Sequence, residues 1–281
     1  MCRPRIASPR VRGTRDVLVL DGGMGKELRR IGAPFRQPEW SSLALIEDPG
    51  AVKRAHRNFV EAGAQLIITN NYAVVPYHHP SDIFERRGRE LTELAGRLAR
   101  EVADEAAEPV LVAGSMPPLF GSYEPDQVDA DRAAPIYRMI AESLDPSTDG
   151  WIAETLSTIL EARLLVEAID AIGSTLPIWI SFALPEQLVD GEPIRLRSGE
   201  TLEEVVAAIG ELVERSAVGD SAPVDAVMVN CSLPERTGPA LAELRRRLDE
   251  NGLENVRTGG YANAFPTHRD EDYRANEVIF E

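Results

Sequence analysis

The sequence predicts an α/β fold in which parallel strands and outer helices build a (β/α)8-type barrel, incomplete because its closing eighth strand is missing. Three observations predict it. Short apolar runs recur along the chain, amphipathic stretches of helical spacing lie between them, and several runs end in polar or small residues. Alternation of strand and helix implies right-handed crossovers and a parallel sheet covered by helices. In a barrel the C-terminal ends of the strands converge on one mouth, which suits this pattern better than an open sheet with a single crevice.

The apolar runs are Val17 to Leu20, Leu66 to Thr69, Val110 to Ala113, Trp151 to Ala153, Ile178 to Phe182, Ala226 to Val229 and Val256 to Tyr261, seven candidate strands. Helical spacing runs through Ala51 to Ala62, Phe84 to Ala107, Asp131 to Ser143, Thr158 to Ala171, Leu202 to Ser216 and Gly238 to Glu250. A barrel of this type needs an eighth strand. The tail Asp270 to Glu281 could begin a helix, with nothing after it to close the sheet. The expected organisation is therefore an Arg-rich, disordered leader at 1–15 and a single barrel domain over 16–281, truncated at its C-terminal end.

Composition removes several function classes. A formal charge of −16 and a pI near 4.8 argue against nucleic acid and anionic membranes as partners, because phosphate binding rests on clustered Lys and Arg. A small soluble ligand is the expected partner. No apolar run approaches the roughly 20 residues of a membrane helix. Cys2 and Cys231 stand far apart and make no disulfide framework, which points to a reducing cytoplasm. Lys26 and Lys53 are the only lysines. Lys26 lies past a glycine-rich turn on a helix and is expected at the surface, a Schiff-base role being the competing reading.

The chemistry-bearing residues sit at the ends of runs. Cys231 follows the apolar run Ala226 to Val229 and Asn230, where a buried parallel strand presents side chains to solvent. A free cysteine is also a common buried hydrophobe, so position leaves both readings open. Asp21 opens the turn Asp21-Gly22-Gly23-Met24-Gly25, whose spacing matches neither the dinucleotide fingerprint nor the phosphate-binding loop, and its carboxylate would repel phosphate. It suits a cation such as a substrate ammonium. Glu154 ends the fourth run, where a carboxylate is costly to bury without a partner. With Asp21 it makes a second acidic contact for an ammonium, or a general acid/base pair. His78 and His79 are vicinal and point apart, so a surface loop is expected rather than a metal site. His56 and His268 have no partner at ligand spacing.

The ordered set DGGMGKEL at 21–28, TNNY at 69–72, VAGSMPP at 112–118, AET at 153–155, PIWISF at 177–182, VNCSLPE at 229–235 and YANAF at 261–265 resembles the homocysteine S-methyltransferases. The motifs span nearly the whole chain. The resemblance implies a barrel that binds a catalytic zinc through three cysteines, the first matching Cys231 and the other two adjacent in a Gly-Gly-Cys-Cys segment absent from this sequence. It implies that Asp21 and Glu154 hold the homocysteine amino group, with Gly22 and Asn230 as further substrate contacts, and that Zn2+ binds the substrate sulfur. A short chain without folate or cobalamin modules looks like the members that take methyl from a sulfonium, S-methylmethionine or S-adenosylmethionine, with no general acid required. The expected activity is methyl transfer to homocysteine to give methionine, weak or absent in a chain lacking two ligands. The alternatives are a non-catalytic binder of a small amino acid and a metal-free barrel lyase or aldolase.

Overall fold

The computed structural model describes residues 17–186, 192–219 and 221–263. Six strands, β1 (Leu66–Ile68), β2 (Leu111–Met116), β3 (Gly150–Leu156), β4 (Ile178–Phe182), β5 (Val224–Asn230) and β6 (Arg257–Tyr261), pair in chain order, every pair parallel. Around them lie α1 (Met24–Arg30), α2 (Ser42–Glu47), α3 (Pro49–Glu61), α4 (Ser81–Glu105), α5 (Ala130–Leu144), α6 (Ile159–Ala171), α7 (Leu202–Val218) and α8 (Pro234–Glu250). The expected parallel α/β architecture of barrel type is what forms. Strand length is short because each strand needs only to cross the core before its helix returns on the outside.

Local signals start the helices where the sequence places them. Asp48 caps α3, its carboxylate accepting from the N–H of Ala51 at 3.0 Å, and Pro49 occupies the first helical position. Thr158 with Glu161, and Thr201 with Glu204, form capping boxes at α6 and α7. These ends fix where each helix leaves its strand, and so where each strand-end side chain points.

Two apolar layers follow from the period of two along each strand. One stripe, Leu66, Ala113, Ile152, Trp179, Ala226 and Met228, packs inside the sheet's concave face with Leu18, Leu20 and Ile68. The opposite stripe, including Ala153, Ile180, Val227 and Val229, packs against the outer helices. The sheet is strongly curled: Tyr261 at the end of β6 donates its hydroxyl to Glu154 Oε2 of β3 at 3.4 Å. A flat sheet would hold these two residues three strands apart.

The first expected strand differs. Val17 to Leu20 makes a single parallel bridge, Leu20 to Leu66, instead of a full strand. Leu18 and Leu20 pack inward, whereas Val17 and Val19 are 62% and 50% exposed, so half of its apolar pattern gains nothing from pairing. Among the described residues no strand lies between β6 and this first segment. The leader 1–15, the tail from Asp270 and His268 lie outside the described residues.

Candidate active site

The inner stripe turns polar at its upper end. Two residues past Ile152 stands Glu154, two past Trp179 stands Ser181, and two past Met228 stands Asn230. The strand period therefore carries these side chains to the same end of the sheet. There they meet the loops after the first segment, β1, β5 and β6 around a cavity of about 350 Å³, lined among others by Asp21, Gly22, Glu154, Thr155, Cys231 and Tyr261.

Asp21 is fixed by the sheet itself, its Oδ2 accepting from the N–H of Ile68 at 2.8 Å. Burial pushes its carboxyl well above the ordinary range, opposed by that hydrogen bond and reinforced by Glu154 nearby. Burial likewise raises Glu154 to about 7, against hydrogen bonding that favours its charged form. Glu154 Oε1 is buried with no hydrogen-bond partner in the protein. Two desolvated carboxylates in one cavity, one with an idle oxygen, form a site short of a cation. An ammonium supplies both the charge and the donors.

Cys231 adopts φ 48° and Thr155 φ 59°, a left-handed backbone that costs a non-glycine residue roughly 1 kcal/mol or more. Asn230 lies between them and overcomes that cost. Its Oδ1 accepts from the Thr155 N–H at 2.9 Å and from Ser181 Oγ at 2.7 Å, while Nδ2 donates to Thr155 Oγ1 at 2.9 Å and Cys231 Sγ at 3.3 Å. Asn230 is wholly buried. Expected as a substrate contact, it has its amide engaged by protein on every side and stands behind the cavity wall. Burial pushes the Cys231 thiol up from its ordinary value.

The mouth is built by the loop before α2. Trp40 and Ser41 line the cavity, and the loop is held from below: His78 Nδ1 meets the Pro38 carbonyl oxygen at 2.9 Å, and Asn70 Nδ2 donates to the Ser41 carbonyl oxygen at 3.1 Å. The Trp40 and His78 rings lie 5.4 Å apart. His79 Nε2 meets Ser42 Oγ at 2.8 Å. The two histidines were expected in a surface loop, yet both are buried, because packing this loop onto the sheet needs polar groups to satisfy its carbonyls and hydroxyls.

The motifs assign no role to several lining residues, although Tyr72 and Tyr261 stand inside TNNY and YANAF. Tyr72, its hydroxyl 2.6 Å from Ser122 Oγ, and Tyr261 face the cavity with Trp40. Tyr261 could have been found as the polar-tipped end of an inner stripe. Lys26, expected at the surface, lines the cavity half-buried, because α1 begins directly beneath the mouth. Among the described residues no helix is long and apolar enough to cross a membrane. Nor does any group of three His, Cys, Asp or Glu side chains among them stand close enough to hold a metal ion.

A model of the homocysteine S-methyltransferase family matches residues 18–280. The chain is 30% identical over 250 residues to the homocysteine S-methyltransferase of Escherichia coli, covering 82% of this chain and 74% of that protein. It is 29% identical over 240 residues to homocysteine S-methyltransferase 1 of Brassica oleracea var. italica, covering 77% of this chain and 69% of that protein. The metallated form of the homocysteine methyltransferase MmuM from Escherichia coli superposes with a TM-score of 0.69 at 26% identity, over 89% of this chain and 92% of that chain.

Proposed function

The chain belongs to the homocysteine S-methyltransferase family, and from that premise we propose that it transfers a methyl group from a sulfonium donor to the sulfur of homocysteine, giving methionine. One observation carries this reading: Asp21, Glu154 and Cys231, from three separate strand ends, line one cavity. The two carboxylates bind the substrate ammonium, which removes their mutual repulsion and occupies the idle oxygen of Glu154. The substrate's sulfur then reaches toward Cys231.

In the transfer, the homocysteine thiol gives its proton to water and its sulfur attacks the donor methyl. The methyl–sulfonium bond breaks, its electron pair stays on the donor sulfur, and a neutral thioether leaves. No general acid is needed, and none has to be found in the cavity. A positive donor suits walls that include Trp40, Tyr72 and Tyr261, whose ring faces attract cations. The cavity's part is to align the two sulfurs and exclude water.

Zinc is the metal that the family resemblance implies; it takes thiolates and would lower the pKa of a bound thiol. Catalytic zinc uses three protein ligands and one open position. The described residues offer Cys231 alone and do not fit it by themselves, so no step above runs through a metal. That same observation favours a second reading, a non-catalytic binder of a small amino acid. We take residues 16–281 as one domain and a reducing cytoplasm as the compartment, where Cys231 stays free.

Methionine formation from homocysteine, measured with zinc present against S-methylmethionine, S-adenosylmethionine and betaine in turn, tests this. Slow product formation from either sulfonium and none from betaine is expected. Homocysteine binding without product from any donor would move the conclusion to the second reading, and product from betaine alone would overturn the sulfonium assignment.

A further inference from the structure

Two side chains on the described cavity wall carry a buried polar atom with no hydrogen-bond partner, Oε1 of Glu154 and Nδ2 of Asn263. The first needs a donor, and the substrate ammonium supplies it. The second is an N–H donor on a side chain only 7% exposed, and a buried donor left without an acceptor is costly. Both are idle, so they do not meet each other, and Asn263 needs an acceptor that the described residues do not provide.

The backbone places Asn263 on the sulfur side of the cavity. The Cys231 N–H donates to the Tyr261 carbonyl oxygen at 3.0 Å and the Asn263 N–H to the Ser232 carbonyl oxygen at 2.9 Å, so the chain after β6 runs on beside Cys231. From there Tyr261 spans inward to Glu154, its hydroxyl at 3.4 Å. The ammonium site thus lies a tyrosine side chain away from the β6 backbone, and Asn263 stands two residues, roughly 6–7 Å, further along it. Homocysteine carries its carboxylate on the same carbon as its amino group, which keeps that carboxylate beside Asp21 and Glu154 and away from the short Asn263 side chain. The methyl donor differs. Its sulfonium has to stand in line with the homocysteine sulfur near Cys231, and in both S-methylmethionine and S-adenosylmethionine an α-carboxylate hangs from that sulfur on a short carbon arm.

We propose that the Asn263 amide binds the α-carboxylate of the methyl donor, so that the cavity takes amino-acid sulfoniums in preference to simple ones. A neutral amide suits this wall, because it donates to a carboxylate without repelling the sulfonium charge that must sit close by. Its two ends are alike in size, so a half-turn about the last torsion brings the N–H to the ligand without repacking. The inference rests on the sulfonium reading of the function, and it adds a polar contact to the aromatic walls that attract the donor's charge.

The test is calorimetric titration of the full chain under reductant. The ligands are homocysteine, S-methylmethionine and 3-(dimethylsulfonio)propan-1-amine, which keeps the sulfonium and ammonium and lacks the carboxylate. The proteins are wild type, Asn263→Ala and Asn263→Asp, the last keeping the size of the side chain while turning its donor into a charge that repels carboxylates. S-methylmethionine is expected to bind roughly 10-fold more weakly to Asn263→Ala and roughly 100-fold more weakly to Asn263→Asp, the span of a hydrogen bond to a charged group. In Asn263→Ala the decarboxylated sulfonium and homocysteine should stay within about 2-fold of wild type. Equal weakening of the two sulfoniums, or weakening of neither, overturns the assignment while leaving the sulfonium reading intact. Weakening of homocysteine instead would put that substrate's carboxylate at Asn263 and overturn the assignment too. Wild type that binds homocysteine and neither sulfonium overturns the sulfonium reading itself. Melting temperatures of both variants near that of wild type separate a lost contact from a lost fold.

Discussion

Replacing Asn230 is the sharpest perturbation of this architecture, because one buried amide holds two strained strand ends at once. In Asn230→Ala four hydrogen bonds vanish: the Thr155 N–H and Ser181 Oγ lose the acceptor Oδ1, and Thr155 Oγ1 and Cys231 Sγ lose the donor Nδ2. At about 1 kcal/mol net per bond, with the N–H to sulfur contact worth less, the bonds alone amount to about 3 kcal/mol. The small cavity left behind adds to this, so roughly 3–5 kcal/mol is expected. Asn230→Asp keeps the two bonds that Oδ1 accepts and loses the two that Nδ2 donates, while setting a carboxylate against Thr155 Oγ1 and Cys231 Sγ. Its loss should fall short of that of alanine above neutral pH only if the acceptor side dominates. Urea unfolding of both variants measures the cost, and homocysteine titration of the folded protein measures the damage to the cavity. A loss below 1 kcal/mol in Asn230→Ala, with homocysteine affinity unchanged, would refute the view that this side chain holds Thr155 and Cys231 in place.

Two further outcomes follow from groups away from the cavity. His56 is wholly buried with neither ring nitrogen partnered, and burial lowers it from 6.5 to about 4. Its folded value lies below its unfolded one, so the stability it permits is complete above about pH 6.5 and is lost as pH falls toward 4. Relative to His56→Leu, the wild type should lose about 3 kcal/mol over that window in urea melts; parallel pH profiles would contradict this. Gly260 and Gly259 form a matched pair: a Cβ on Gly260 would meet the Val229 carbonyl oxygen at 2.6 Å, whereas on Gly259 it would meet the movable Met228 Sδ at 3.3 Å. Gly260→Ala should cost about 1–3 kcal/mol and Gly259→Ala clearly less, and a reversed order of melting temperatures would show that the β5 to β6 register is wrong.

Periodicity made most of this fold legible. The five runs from Leu66 to Val229 are strands because both of their faces are largely buried, one inside the curl and one under helices, so their apolar pattern has no polar interruption to misread; β6, Arg257–Tyr261, is neither apolar nor buried and was the weaker run. The first run failed as a full strand for the complementary reason, since Val17 and Val19 have nothing to pack against among the described residues. Asp21, Glu154 and Cys231 were legible because each abruptly ends an apolar run, and the cavity does gather them. Asn230 ends its strand as the sequence placed it, but its bonds to Thr155, Ser181 and Cys231 were not legible, since sequence does not say which neighbour a buried amide will satisfy. Lys26 on α1, and Trp40 and Tyr72 in turns and loops, face directions set by packing, such as the contacts of His78 and Asn70 beneath the mouth. No spacing rule reports such contacts.

The account stands most directly on the two carboxylates as the ammonium site. Calorimetric titration of homocysteine into wild type, Asp21→Asn and Glu154→Gln at pH 8, above the value of about 7 to which burial raises Glu154, tests it. The account predicts binding by the wild type and roughly 10- to 100-fold weaker binding by each variant, with folding retained. Equal affinity in all three proteins would contradict it.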